Sequence, residues 1–153
     1  MHTQLKSLFL KSEIILIAIS SIAQLVLMRL DLNADLLLST LIVVSIVGLP
    51  ESVLIGGFLG YLLLFGPLPR VELAYLLAVP ILVGYFGRRL FGANIATLCG
   101  LTILGMILFY GLIDLQTLVI LPGRWIWNIL ISILWVVGLY YYWVSKNRKQ
   151  ARF

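Results

Sequence analysis

The segment NIATLCGLTILGMILFYGLI (residues 94–113) contains no charged side chain over 20 residues. An α-helix needs about 20 apolar residues to cross the ~30 Å hydrocarbon core of a bilayer. Residues 125–144, WIWNILISILWVVGLYYYWV, form a second run of that length, with aromatic residues at both ends. Aromatic rings are enriched at the headgroup level of membranes. The two segments therefore predict transmembrane helices.

The composition of the whole chain supports this prediction. Of its 153 residues, 62% are hydrophobic and 11% are charged, whereas soluble domains average about 45–50% and about 25%. A soluble domain of this length leaves a large share of its surface exposed to water and cannot bury so many apolar side chains. Disorder is also excluded, because it requires low hydrophobicity and high charge. The chain is therefore interpreted as an integral membrane protein.

Six apolar runs predict an all-α integral membrane protein, a six-helix polytopic bundle within one transmembrane domain at 14–144. The runs cover residues 14–28, 34–49, 52–66, 71–87, 94–113 and 125–144. The second and third runs are short and are separated only by Pro50-Glu51. They form either two thin crossings with a tight corner, which we favour, or a re-entrant hairpin buried against other helices. Residues 1–13 form a basic segment, either an interfacial helix or a loose tail, and residues 145–153 form a basic cytoplasmic tail.

Lys and Arg are distributed unequally between the two ends of the predicted helices. With six crossings, one side carries eight of them and the other side carries three. Cytoplasmic loops carry an excess of Lys and Arg, so both termini are expected in the cytoplasm. The net charge of +5 is thus explained by topology, and we expect no nucleic-acid binding. The eight are Lys6, Lys11, Arg88, Arg89, Lys146, Arg148, Lys149 and Arg152, and the three are Arg29, Arg70 and Arg124.

The positions of the ionisable residues argue against ion transport, catalysis and a resident cofactor or metal. Only Asp35 and Glu72 fall within the apolar runs, each at the second position, whereas ion pathways and proton relays use ionisable groups deeper in the membrane. The carboxylates are scattered and the single histidine is His2, so a metal or haem site lacks ligands. Asp31 and Asp35 form the one close acidic pair, which we interpret as a solvated loop and a helix N-terminus.

Small and mildly polar residues inside the runs are the candidates for helix contacts. Gly56, Gly57 and Gly60 provide a GxxxG spacing that permits the close approach of another helix, either from the same chain or from a partner. Gln24 and Asn128 can each hydrogen-bond between helices, and we favour this internal role over ligand binding.

The order of these features resembles the MreD family, the small polytopic subunit of the bacterial rod-shape and cell-elongation machinery. That family has a Gln near the end of the first helix, PDLLL at the start of the second, and GFLxGLLLD in the third. It also has a basic pair after the fourth helix and an Asn in the last helix. The corresponding residues here are Gln24, Asp35, Gly57 with Gly60, Arg88-Arg89 and Asn128. Two positions depart from the family, because Ala34 replaces the usual Pro and Leu64 or Phe65 replaces the usual acid.

The resemblance implies a six-helix fold similar to the substrate-binding subunits of energy-coupling-factor vitamin transporters. It also implies a non-enzymatic scaffold in the bacterial cytoplasmic membrane. The implied partners are an MreC-like protein, an MreB-like filament, a RodA-type glycosyltransferase and a penicillin-binding transpeptidase, with membrane lipids around the helices. Residues 56–60 and the cytoplasmic pair Arg88-Arg89 would make contacts in that complex. Alternatively, the pair serves topology and anionic-lipid contact, which contributes about 1 kcal/mol per charge.

Two other functions remain open from the sequence. One is the substrate-binding subunit of an uptake transporter for a small, vitamin-type molecule. The outer loops around residues 29–35, 67–70 and 113–124 would then form an apolar pocket with a few polar groups. The other is an accessory subunit of a different membrane complex, which the absence of histidine from the apolar runs disfavours.

Overall fold

A computed structural model of the protein describes residues 2–30, 32, 34–67, 71–91, 94–113 and 122–144. Over these residues the protein is all-helical, contains no strand and has six α-helices, as the sequence predicts. They are α1 (His2–Arg29), α2 (Leu36–Val47), α3 (Pro50–Phe65), α4 (Val71–Leu90), α5 (Ile95–Ile113) and α6 (Pro122–Leu139), and a π-helical turn over Tyr140–Val144 follows α6.

Four segments of the described chain are long and apolar enough to cross a membrane. They are Leu10–Arg29, Val71–Leu90, Ile95–Ile113 and Trp125–Tyr142. The helices α2 and α3 are also apolar but have only 12 and 16 residues, so α2 is about 18 Å long. Large apolar side chains recur at helical spacing on the outside of α1, where Ile15, Ile19, Ile22 and Val26 are each about half exposed. These features are compatible with a multi-pass membrane protein.

The helix α2 lies at the centre of the bundle. It contacts each of the other five helices, and every residue from Leu36 to Ile46 is buried. Its sequence LLLSTLIVVSIV is apolar all round, which is typical of a helix with no exposed face. The hydroxyl groups of Ser39 and Thr40 donate to carbonyl oxygens one turn earlier, at 2.7 Å in both cases. Both buried hydroxyl groups are therefore hydrogen-bonded.

Contacts between helix termini define two ends of the bundle. At one end, Glu13 of α1 contacts the start of α3, and Arg88 of α4 contacts the end of α2. At the other end, Asp35 precedes α2 and contacts Tyr110 near the end of α5 and Asn128 near the start of α6. We name these the Glu13 end and the Asp35 end. The short helix α2 extends from one end to the other.

Two boundaries differ from the sequence prediction. The helix α1 is continuous from His2, and no break follows residue 13, because neither Pro nor Gly interrupts it. The corner between α2 and α3 lies at Gly48-Leu49 rather than at Pro50-Glu51. Pro50 begins α3 because proline suits the first helical position, where its missing N–H has no partner to lose and its φ angle is already helical.

Candidate functional site

Asp35 is the centre of a polar cluster at the start of α2. The carboxamide of Asn128 contacts it twice: Oδ1 accepts a hydrogen bond from the backbone N–H of Asp35 at 2.9 Å, and Nδ2 donates to Asp35 Oδ2 at 2.6 Å. The hydroxyl of Tyr110 donates to the same Oδ2. The residue Asp35 therefore joins α2 to α5 and α6. Asp31, the other member of the acidic pair, lies outside the described residues.

Gln24 connects α1 to the same helix start. Its Oε1 accepts a hydrogen bond from the backbone N–H of Leu37 at 2.8 Å. The N–H groups of a first helical turn have no acceptor within their own helix. The side chain of Asp35 makes no capping hydrogen bond here, because it is engaged with Asn128 and Tyr110. Gln24 therefore supplies a cap from a neighbouring helix.

A cavity of about 390 Å³ adjoins this cluster. Its volume lies in the range of about 300–1,000 Å³ that is usual for small-molecule sites. The polar part of its lining is formed by Gln24, Asp35, Glu72, Tyr110 and Asn128. The aromatic part is formed by Tyr61, Phe65, Phe109 and Trp125, and aliphatic side chains complete the walls. The transporter alternative predicts a pocket formed by outer loops, whereas the described lining comes from all six helices and includes Ala34, Asp35 and Ile113.

Two aromatic rings form one wall of the cavity. The ring of Trp125 packs edge-on against that of Tyr110, with 4.4 Å between the centroids and an angle of 78° between the planes. Trp125 is only 8% exposed, whereas Trp127 is 68% exposed. Of these two tryptophans at the start of α6, only Trp127 lies at the outer surface, as expected for a side chain at the headgroup level.

A second polar chain crosses the middle of the bundle. The indole Nε1 of Trp135 on α6 donates to Thr40 Oγ1 at 2.9 Å, and that hydroxyl lies 2.7 Å from Ser20 Oγ on α1. Both hydroxyl residues are fully buried. Hydrogen bonds of this kind hold helices together inside a bilayer. They link α1 and α6 to the central helix and are not part of the cavity.

The predicted contact glycines Gly56, Gly57 and Gly60 are buried against helices of the same chain. A Cβ on Gly60 would lie 2.6 Å from Ser21 Oγ of α1, and a Cβ on Gly57 would lie 2.6 Å from Leu77 Cδ2 of α4. Gly56 likewise approaches α1. Of the two roles that the sequence leaves open, the structure therefore assigns packing within the chain.

Glu13 forms a buried cluster at the opposite end of the bundle. The hydroxyl of Ser52 donates to its Oε2, and the backbone N–H of Leu49 donates to the same oxygen at 3.1 Å. Glu13 is 2% exposed. The sequence prediction, which left it in a basic segment ahead of the first helix, is therefore wrong for this residue. A signal was available, because Glu13, Ser20 and Gln24 recur at helical spacing on one face of α1.

The two arginines of the basic pair Arg88-Arg89 make different contacts. Arg88 Nε donates to the carbonyl oxygen of Ser45 at 2.8 Å, and its Nη2 donates to that of Gly48. These are carbonyl groups at the end of α2, where cationic side chains also favour the helix dipole. Within the described residues, Arg89 donates to the hydroxyl of Tyr85, at 3.4 Å, one turn earlier on α4. Arg88 therefore caps α2, and Arg89 remains exposed.

The remaining predicted features lie outside the described residues or form no cluster. Arg70, the loop at 114–121 and the basic tail at 145–153 belong to the undescribed part of the chain. In the part that is described, no group of three or more His, Cys, Asp or Glu side chains could hold a metal ion. The single cysteine, Cys99, is free and partly buried on α5.

Comparisons of the chain with protein-family models, with curated proteins and with solved structures gave no match. The function of the protein is therefore inferred from its own residues and their arrangement.

Proposed function

We propose that the protein is a non-enzymatic membrane scaffold subunit of the bacterial cell-elongation complex that synthesises peptidoglycan, as its resemblance to the MreD family implies. One observation supports this proposal most. Gln24, Asp35 and Asn128 carry three of the motifs of the resemblance and come from separate parts of the sequence, yet they meet at the start of α2. A similarity of composition alone gives no reason for these three residues to meet.

The proposed fold is the six-helix arrangement of the energy-coupling-factor substrate-binding subunits, in the bacterial cytoplasmic membrane with both termini in the cytoplasm. Among the described side chains, Lys11, Arg88 and Arg89 belong to the Glu13 end and Arg29 belongs to the Asp35 end. The positive-inside rule then favours a cytoplasmic Glu13 end. The extension of α2 between the two ends supports two crossings for α2 and α3 rather than a re-entrant hairpin.

The proposed partners are an MreC-like protein, an MreB-like filament, a RodA-type glycosyltransferase and a penicillin-binding transpeptidase. Because the glycines of α3 are covered by the chain itself, they are not available to these partners. The exposed helix faces are available, among them the face of α6 that carries Trp127 and Leu134, which are 68% and 71% exposed. On the cytoplasmic side, Arg89 is the member of the basic pair that remains for a partner or for anionic lipid.

Depletion of the protein in the organism that encodes it tests this proposal. We expect rod-shaped cells to become round, and we expect the wild-type chain to restore their shape. The control for expression and membrane insertion is Gly100→Ala, whose added methyl group meets no atom within 4 Å and leaves both the Asp35 cluster and the exposed face of α6 unchanged. Rods that keep their shape after depletion would contradict the proposal.

The cavity favours one second candidate, a substrate-binding subunit of a small-molecule uptake transporter. The sequence predicts that outer loops form such a pocket, whereas the described lining comes mainly from helix ends together with Ala34 and Asp35. The two candidates differ in what depletion changes. A transporter subunit would reduce the uptake of a nutrient and leave cell shape intact when that nutrient is supplied in excess.

A further inference from the structure

We propose that the cavity at the Asp35 end binds a small organic cation, an ammonium group carried on an aromatic or aliphatic body. The proposal concerns the chemistry of the cavity and does not depend on the scaffold role. A negative result in the binding test below therefore leaves the test on cell shape unaffected.

Unpaired carboxyl oxygens are the first observation. Both hydrogen bonds to the Asp35 carboxyl group end on Oδ2, and Oδ1 has no partner among the described residues. Glu72 lines the same cavity, and its carboxyl group makes no hydrogen bond or ion pair within the described ranges. Among the described residues, the lining contains no Lys or Arg. Asp35 thus has one carboxyl oxygen without a described donor, and Glu72, which is partly exposed, adds a second carboxyl group to the lining. Two carboxyl groups beside one apolar cavity favour a bound cation over an anion.

An unpaired amide donor is the second, independent observation. Gln24 is 6% exposed and lines the cavity. Its Oε1 is fixed by the N–H of Leu37, which also determines which amide atom is the nitrogen. Its Nε2 has no acceptor in the described part of the chain. A buried donor without an acceptor is unfavourable, so the cavity also suits a polar acceptor atom on the ligand.

The aromatic walls are the third observation. The rings of Tyr110 and Trp125 hold each other in an edge-on contact, and the ring of Phe109 packs edge-on against Tyr110 at 5.3 Å. Cations are attracted to the faces of aromatic rings, most strongly to Trp. A cavity of about 390 Å³ exceeds the size of a bare metal ion, and its carboxyl groups oppose the binding of an anion. The ligand class that meets the conditions of charge, size and aromatic walls is an organic cation with an apolar body, and an oxygen atom on that body would accept a hydrogen bond from Gln24 Nε2.

Three probes that share an indole ring and differ in charge test the proposal. They are tryptamine, which is a cation, tryptophol, which is neutral, and indole-3-propionate, which is an anion. The full-length protein is placed in phosphatidylcholine nanodiscs, and binding is measured by titration calorimetry, with empty nanodiscs as the correction for partition into lipid. We expect tryptamine to bind with one-to-one stoichiometry and about tenfold more tightly than tryptophol, and indole-3-propionate to bind most weakly.

Two carboxyl variants show whether the preference arises in the cavity. Glu72→Gln removes one charge without breaking a hydrogen bond in the described structure, so the protein is expected to fold normally, as thermal unfolding would verify. It should weaken tryptamine binding about tenfold and leave tryptophol binding unchanged. The control is Glu51→Gln at the Glu13 end, which should change neither. Equal affinity for the three probes, no binding of any probe to the folded protein, or an equal effect of the two variants would overturn the proposal.

Discussion

The side chain of Asn128 explains how the start of α2 is held in place. Its carboxamide presents an acceptor to the backbone N–H of Asp35 and a donor to the carboxyl group of the same residue. A carboxamide matches this pair because it carries both groups side by side. With Asn128 only 7% exposed, water has little access to replace either contact.

Replacement of this residue by an apolar one tests its contribution. We expect Asn128→Leu to lower the free energy of unfolding by about 1–3 kcal/mol, because it removes both hydrogen bonds to Asp35 and leaves the backbone N–H of that residue without an acceptor. Thermal unfolding of the purified protein in detergent measures the change. Leu134→Ala on the exposed face of α6 is the control, with an expected change below about 0.5 kcal/mol. Equal stability of Asn128→Leu and the wild type would contradict the role given to this residue.

The two adjacent arginines provide a second comparison at the scale of single residues. Arg88→Lys should lower the free energy of unfolding by about 1 kcal/mol, because a lysine cannot reproduce the two-pronged contact with the carbonyl groups of Ser45 and Gly48. Arg89→Lys keeps the charge at an exposed position and should leave stability unchanged. Chemical unfolding of the two variants, compared side by side, checks this difference. An equal response of both would mean that Arg88 does not cap α2.

Among the helices, the packing of α4 on α2 is the contact most dependent on a glycine. A Cβ on Gly84 would lie 2.7 Å from the backbone carbonyl oxygen of Ser45 as well as close to its side chain. Backbone atoms cannot rotate away as the end of a flexible side chain can. Any larger residue at position 84 therefore forces the two helices apart.

A pair of Gly→Ala variants tests this contact. We expect Gly84→Ala to lower the free energy of unfolding by about 1–3 kcal/mol, the usual cost of an overpacked core. Gly100→Ala on α5 is the matched control, because a Cβ there meets no atom within 4 Å, and alanine favours the helix. Its stability should be unchanged or slightly higher. A Gly84→Ala protein as stable as Gly100→Ala would show that α2 and α4 are not in close contact.

Hydropathy predicted where the helices lie in the sequence, but it did not predict which of them are buried inside the bundle. The six apolar runs correspond to the six described helices, because an uncharged stretch of suitable length has few alternatives inside a bilayer. The burial of Glu13 and the central position of α2 could not be predicted in the same way. Hydropathy gives the same value to a leucine that faces lipid and to one that faces another helix. The partner of Glu13, Ser52, is 39 residues away in the sequence.

For the molecule as a whole, the proposed topology assigns the two ends of α3 to opposite sides of the membrane. In a chain with Cys99→Ser, the substitutions Glu51→Cys and Pro67→Cys each introduce one cysteine at an exposed position. A maleimide that does not cross membranes should label the Pro67 variant in intact cells and the Glu51 variant only after permeabilisation. Labelling of both variants from the same side would support a re-entrant hairpin instead.

Three residues of the candidate site stand out in the sequence, as helix contacts or as a helix N-terminus, but their arrangement around one cavity does not. Gln24, Asp35 and Asn128 could be selected from the sequence, because polar residues are rare in apolar runs and because the resemblance singles them out. No local sequence pattern indicates that these residues surround one cavity, because that arrangement depends on the packing of all six helices. The sequence marks Glu72 only as a charge near the start of an apolar run and Trp125 only as an aromatic residue at the end of another, although both line the same cavity.

The central claim is that the protein acts by contact within a cell-elongation complex, and its most direct test is the identity of the proteins bound to it. The chain is purified from native membranes in mild detergent, and the proteins that copurify are quantified by mass spectrometry against a control purification from cells without the tagged chain. We predict enrichment of an MreC-like protein together with a RodA-type glycosyltransferase and its transpeptidase. Enrichment of the ATP-binding subunits of an uptake transporter, with no protein of the elongation machinery, would contradict the claim.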